Sequence, residues 1–137
     1  MSLQVSLTGQ LVAGPSASSD NQFPSGTDTT PFGLVQDPRQ YAVRTGTQQV
    51  NVNSPSSFTA LGGIGSSSSV SSAFLLYMRT TIGMDVRITR VNPAGGSFVT
   101  TEHVAGLLVY ECDAAQPITL VEVQGAGQLE FAAFGNA

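Results

Sequence analysis

AFLLYMR (residues 73–79), MDVRITRV (84–91), SFVTT (97–101), VAGLLVYEC (104–112), PITLVEV (117–123) and QLEFAAF (128–134) follow one another with short breaks, three of the five carrying Gly. Each run is about the length of one β-strand, and the spacing is that of an antiparallel sandwich or small barrel. MDVRITRV alternates most cleanly. Met84, Val86 and Ile88 fall on one face, and Asp85, Arg87 and Thr89 on the other, the pattern of a half-buried strand. No stretch repeats its apolar residues every 3.6 positions, so long helices are not expected. The expected fold class is all-β: an antiparallel β-sandwich or jelly-roll-like barrel spanning residues 37–137, preceded by an extended arm at 1–36.

Working outward, Asn92-Pro93-Ala94-Gly95-Gly96 is turn chemistry and predicts a hairpin between MDVRITRV and SFVTT. Asp113-Ala114-Ala115-Gln116-Pro117 separates the next two runs. Gly125-Ala126-Gly127 divides PITLVEV from QLEFAAF and predicts a final hairpin, with Glu122 and Glu130 on adjacent strands. AFLLYMR and VAGLLVYEC are apolar on both faces, which predicts central strands. Upstream, YAVRTGTQQVNVN (41–53) reads as a strand or hairpin interrupted at Gly46, with Val50 and Val52 on one face against Gln49, Asn51 and Asn53. The Gly- and Ser-rich piece at 55–72 is expected to be an extended surface loop.

The arm divides in two. Leu3, Val5 and Leu7 alternate with polar residues and predict a strand within 3–12, in this subunit or a neighbour. From Gly14 to Asp37, three prolines, three glycines and many short polar residues leave little to bury. Ordering such a chain costs about 1–2 kcal/mol of backbone entropy per residue, so it needs a surface to lie on. Phe23, Phe32, Leu34 and Val35 are its anchors and the candidate partner-binding residues.

Composition limits the chemistry. The chain has 137 residues, a single domain's length, and only 10% are charged, against about 25% in an average soluble domain. The polar complement is Ser, Thr, Gln, Asn and Gly, which suits surfaces covered by neighbours. Lys is absent, the basic residues are five arginines, and the net charge is −4. A phosphate-neutralising surface for nucleic acid is therefore not expected. Lysine Schiff bases, isopeptide cross-links and the P-loop are excluded, so Gly62-Gly63-Ile64-Gly65 reads as a loop. Cys112 is the single cysteine and reads as a buried, inert thiol. The N-terminal MSLQVSLTGQLV lacks the basic start of a secretory signal, and no apolar run approaches the ~20 residues of a membrane helix. A soluble protein made in the cytoplasm of its producing cell, with no membrane partner, is expected.

No catalytic constellation stands out. His103 is the only histidine and follows Glu102, but neighbours in a strand point to opposite faces, so the two need not form a general-base pair. The carboxylates Asp85, Glu102, Glu111, Asp113, Glu122 and Glu130 show no spacing that singles out a glycosidase pair. No Asp/Asn-rich loop suggests calcium. The sequence predicts no enzyme activity, no cofactor and no metal.

The stretch HVAGLLVYECDAAQPITLVEVQGAGQLEFAAFGN, covering Val104 to Asn136, resembles small β-sandwich accessory proteins in the virions of tailed bacteriophages, such as capsid decoration or cement proteins. The likeness lies in a GLL strand, a short turn, an ITLVEVQG strand and a Gly-separated LEF strand ending in Gly-Asn. It assigns no functional residue. It implies a non-enzymatic virion protein, a homotrimer that binds the major capsid protein. A tail, head-fibre or baseplate component, or a carbohydrate-binding module of another class, remains as an alternative. Against sugar binding stands the absence of Trp, the side chain best suited to stack on a pyranose.

Overall fold

The computed structural model describes residues 43–45 and 47–137 with their side chains, together with the backbone of strands at 3–5, 8–13, 28–33 and 39–41. The chain divides into two compact units, Leu3–Gln40 and a second one formed chiefly by Tyr41–Ala137. In the first, β1 (Leu3–Val5) pairs with β4 (Arg39–Tyr41), and β2 (Thr8–Ala13) pairs antiparallel with β3 (Asp28–Gly33). The remainder of the segment expected to be an arm lies outside the described residues.

The second unit is an all-β, seven-stranded antiparallel sheet: β5 (Val43–Arg44), β6 (Gln48–Ala60), β7 (Ser72–Thr80), β8 (Met84–Val91), β9 (Ser97–Val104), β10 (Leu107–Glu111) and β11 (Ile118–Asn136). The registers reduce it to a simpler object. β7 and β8 continue one another along the same edge of β11, from Ser72 opposite Asn136 to Arg90 opposite Ile118. β9 and β10 continue one another along the far edge of that run, from Ser97 opposite Val91 to Glu111 opposite Leu75. β5 and β6 do the same along the other edge of β11. The unit is thus a ribbon of four long strands, three of them interrupted, with the continuous β11 and the β7–β8 run at its centre.

The interruptions line up and the ribbon folds there. Gly125 lies opposite Ser54, Thr81 N donates to Gln128 O at 3.0 Å, and Thr80 N donates to Gly106 O at 2.9 Å. A β-carbon on Gly127 would sit 2.7 Å from Ile82 Cγ1, and one on Gly125 would sit 2.9 Å from Met84 Cγ. Glycine in a strand permits such close approach and sharp bending. Folding along this line brings the ends of the β7–β8 run together, so Ile118 pairs with both Arg90 and Ala73. The sheet has curled until it meets itself.

The enclosed face is the core. Met84, Val86 and Ile88 are buried, as their alternation predicts, and they join Leu76 and Met78 of β7 and Phe131 of β11 in one apolar cluster. Burying a side chain of this size contributes roughly 1.5–3 kcal/mol, an upper figure because unfolded chains are partly compact. Among the described residues no polar or charged residue is fully buried. The 92–96 hairpin forms as expected: Gly95 N donates to Asn92 O, Ala94 N to Asn92 Oδ1, and Gly95 and Gly96 take φ of 107° and 80°.

Three expectations are corrected. No hairpin forms at Gly125-Ala126-Gly127, because β11 runs unbroken from Ile118 to Asn136 with strands along both of its edges. The glycines bend the strand without reversing it. The 55–72 piece is not a surface loop throughout: Pro55–Ala60 completes β6, and Leu61, Ile64 and Val70 are buried in the core. VAGLLVYEC does not form a central strand. β9 and β10 lie on an edge, where β8 and β7 cover one side only.

Candidate interaction surface

Alternation places Val99, Leu107 and Val109 of the β9–β10 run on the face turned away from the core. Val99 lies opposite Thr89, Leu107 opposite Arg79 and Val109 opposite Tyr77, while the intervening Thr100, Leu108 and Tyr110 lie opposite the buried Ile88, Met78 and Leu76. Leu107 is 63% exposed, Val99 58% and Val109 37%. Phe98, 38% exposed, is on the other face and flanks Arg90, whose guanidinium lies 5.6 Å from its ring and 5.9 Å from that of Tyr110. Contact of one cation with both ends of the run shows how tightly the edge follows the curl.

An edge strand presents unpaired N–H and C=O groups, and proteins ordinarily guard it with Lys, Pro or a covering element. The run from Ser97 to Glu111 contains no Lys and no Pro, its exposed titratable groups are Glu102 and His103 near the end of β9, and no described strand covers its outer side. Its interruption is Ala105-Gly106, at the fold line. The opposite edge, β6, pairs with β11 alone and differs in chemistry. From Thr45 to Met78 the chain has no charged residue. β6 exposes Gln49, Asn51 and Asn53, whereas Val50 and Val52 turn inward.

Titratable groups near these edges are tied to their neighbours. His103 Nδ1 lies 2.7 Å from Asp85 Oδ1 on the paired strand, and Glu102 is on the opposite face. The imidazole covers Gly83, where an added β-carbon would lie 2.7 Å from Nε2. An exposed pair of this kind contributes at most about 1 kcal/mol. Arg87 pairs with Glu122 and stacks on Phe58, its guanidinium 4.2 Å from the ring centroid, so β8, β11 and β6 are pinned on the outer face. Glu130, eight residues along β11 from Glu122, accepts a hydrogen bond from Tyr77 Oη at 3.3 Å. The two carboxylates share one strand and are not the facing pair expected of a hairpin.

Cys112 is buried at the end of β10, with Sγ 3.4 Å from Ala73 O. Desolvation pushes its thiol above the ordinary value, and that opposes thiolate chemistry. Among the described residues, no three His, Cys, Asp or Glu side chains are grouped to hold a metal ion. No helix among them is long and apolar enough to cross a membrane. Of the anchors expected to bind a partner, Phe23, Leu34 and Val35 lie outside the described residues. Phe32 belongs to β3, opposite Gly9, and its side chain is likewise outside the description. The exposed edge was missed because its residues are as apolar as those of a core strand; the nearest signal was Ala105-Gly106 within the run.

Compared with protein-family models, with curated proteins and with solved structures, the chain finds no match.

Proposed function

We propose that the protein is a non-enzymatic structural subunit of a tailed-bacteriophage virion, of the capsid decoration or cement kind, which binds its own copies and the major capsid shell. The observation that carries this reading is the β9–β10 edge, which no described strand covers and which exposes Val99, Leu107 and Val109. Strand addition to such an edge supplies main-chain hydrogen bonds for affinity and side-chain contacts for specificity. The two edges of the sheet are unlike: one exposes Val99, Leu107 and Val109 along with Glu102 and His103, the other Gln49, Asn51 and Asn53 and no charge. Joining unlike edges head to tail generates a ring when the rotation closes, which accommodates the homotrimer implied by the resemblance. The low charge and the virion-protein style of residues 104–136 support the same reading. The 1–36 segment would reach the capsid, with Phe23, Phe32, Leu34 and Val35 as its anchors.

Sedimentation of the purified chain, alone and with capsids, tests both halves of this reading. The full chain is expected to sediment as a discrete oligomer and to pellet with capsids. A Val99→Asp/Leu107→Asp double variant is expected to sediment as a folded monomer. Deletion of 1–36 is expected to weaken pelleting while the β unit stays folded. A wild-type chain that remains monomeric at micromolar concentration would remove the self-association, and unchanged pelleting of the deletion would remove the arm's role.

A further inference from the structure

A cleft of about 360 Å³ opens across β6, β11 and the end of β7. Gln49 and Arg79 both lie opposite Glu130, and one step along the same face Asn51 lies opposite Gln128, whose backbone O accepts from Thr81 N and whose backbone N donates to Thr81 Oγ1. Two adjacent rows therefore carry three carboxamides, a guanidinium and a carboxylate toward the cleft. Gln49, Asn51, Arg79 and Gln128 are exposed, and their side chains have no hydrogen-bond or ion-pair partner among the described residues. Arg79 and Glu130 are register neighbours that form no ion pair with each other; Glu130 is held by the Tyr77 hydroxyl instead.

We infer that this cleft binds a neutral saccharide of one or two rings through hydrogen bonds. An anion would meet Glu130 and a cation would meet Arg79. An apolar molecule would strip water from five polar side chains without replacing their hydrogen bonds. A sugar hydroxyl both donates and accepts, so it suits a carboxylate, a guanidinium and amides set side by side. The volume lies at the lower end of small-molecule sites, roughly 300–1,000 Å³. The absence of Trp removes stacking but not this mode of recognition. Without stacking, a ligand of this size is expected to bind with a dissociation constant of about a millimolar. The inference is independent of self-association and of any virion role.

The test is a titration of the ¹⁵N-labelled full chain with glucose, galactose, N-acetylglucosamine and maltose, followed by NMR. Sialic acid, glucosamine and glycerol serve as anionic, cationic and non-specific controls. At least one neutral sugar is expected to give saturable shifts centred on the Gln49, Asn51 and Gln128 side-chain amides. Glu130→Ala and Arg79→Ala are each expected to weaken that binding about tenfold or more, the loss of roughly one charge-assisted contact. Unchanged shifts elsewhere establish that each variant is folded. The inference is overturned if no neutral sugar saturates, if glycerol reproduces the shifts, if a charged sugar binds more tightly, or if both variants bind like wild type.

Discussion

β11 and the β9–β10 run both combine apolar residues with glycine at the fold line, yet one is the centre of the sheet and the other its edge. β11 has β7 and β8 along one side and β5 and β6 along the other, and its Val121, Val123, Leu129 and Phe131 are buried. β9–β10 has neighbours on one side only, and it turns Val99, Leu107 and Val109 outward. Apolar content marks a strand as able to be buried. Whether it is buried depends on how many partners the sheet order assigns to it.

That contrast can be broken by substitution, and the largest effect is expected at the centre. Phe131 is fully buried, so Phe131→Ala removes a ring from the apolar core cluster. A loss of about 3–5 kcal/mol in urea unfolding is expected. A loss near 1 kcal/mol would mean that β11 is not the core strand described here.

Next comes the backbone contact at the end of the same strand. A β-carbon on Gly135 would lie 1.8 Å from Ser72 O and 2.8 Å from Ala73 Cα. Neither backbone atom can rotate away, so Gly135→Ala is expected to cost roughly 1–3 kcal/mol or more. Differential scanning calorimetry measures it. An unshifted transition would place the end of β11 farther from β7 than the structure does.

A smaller effect sharpens the comparison on the outer face. Arg87→Ala removes both the Glu122 pair and the stacking on Phe58. The guanidinium is partly exposed, which limits the expected cost to about 1 kcal/mol. Phe58→Ala in the same background should add little further loss, because the two side chains share one interaction. Additive losses in the double-mutant cycle would show that they act separately.

The smallest effect is expected at the edge. Leu107→Ala should change the unfolding free energy by no more than about 0.5 kcal/mol, measured at a concentration where sedimentation shows single chains. A cost approaching that of Phe131→Ala would erase the distinction between edge and centre.

The sequence by itself determined the elements that depend on neighbouring residues. Alternation at Met84, Val86 and Ile88, and at Val50 and Val52, placed those side chains on the inward face. Asn92 to Gly96 marked a turn because Gly supplies positive φ and Asn caps its own backbone. The all-β class followed from strand-length runs without helical periodicity. Of the surface, the separation of Glu102 from His103 was legible from strand geometry, whereas Asp85 as the histidine's partner was not, since it comes from another strand.

Only the tertiary structure decided what depends on pairing across the chain. Gly125-Ala126-Gly127 has the composition of a turn, but strands on both sides hold β11 extended through it, and the glycines serve the fold of the whole ribbon. Leu61, Ile64 and Val70 sit among residues too polar to suggest a core, yet they are buried because the loop joining β6 to β7 packs on the apolar cluster. The row of Gln49, Glu130 and Arg79 exists only in the register of three strands whose residues are far apart in sequence. Periodicity reports which face of a strand is apolar; the sheet order, set by long-range hydrogen bonding, decides whether that face and that edge meet solvent.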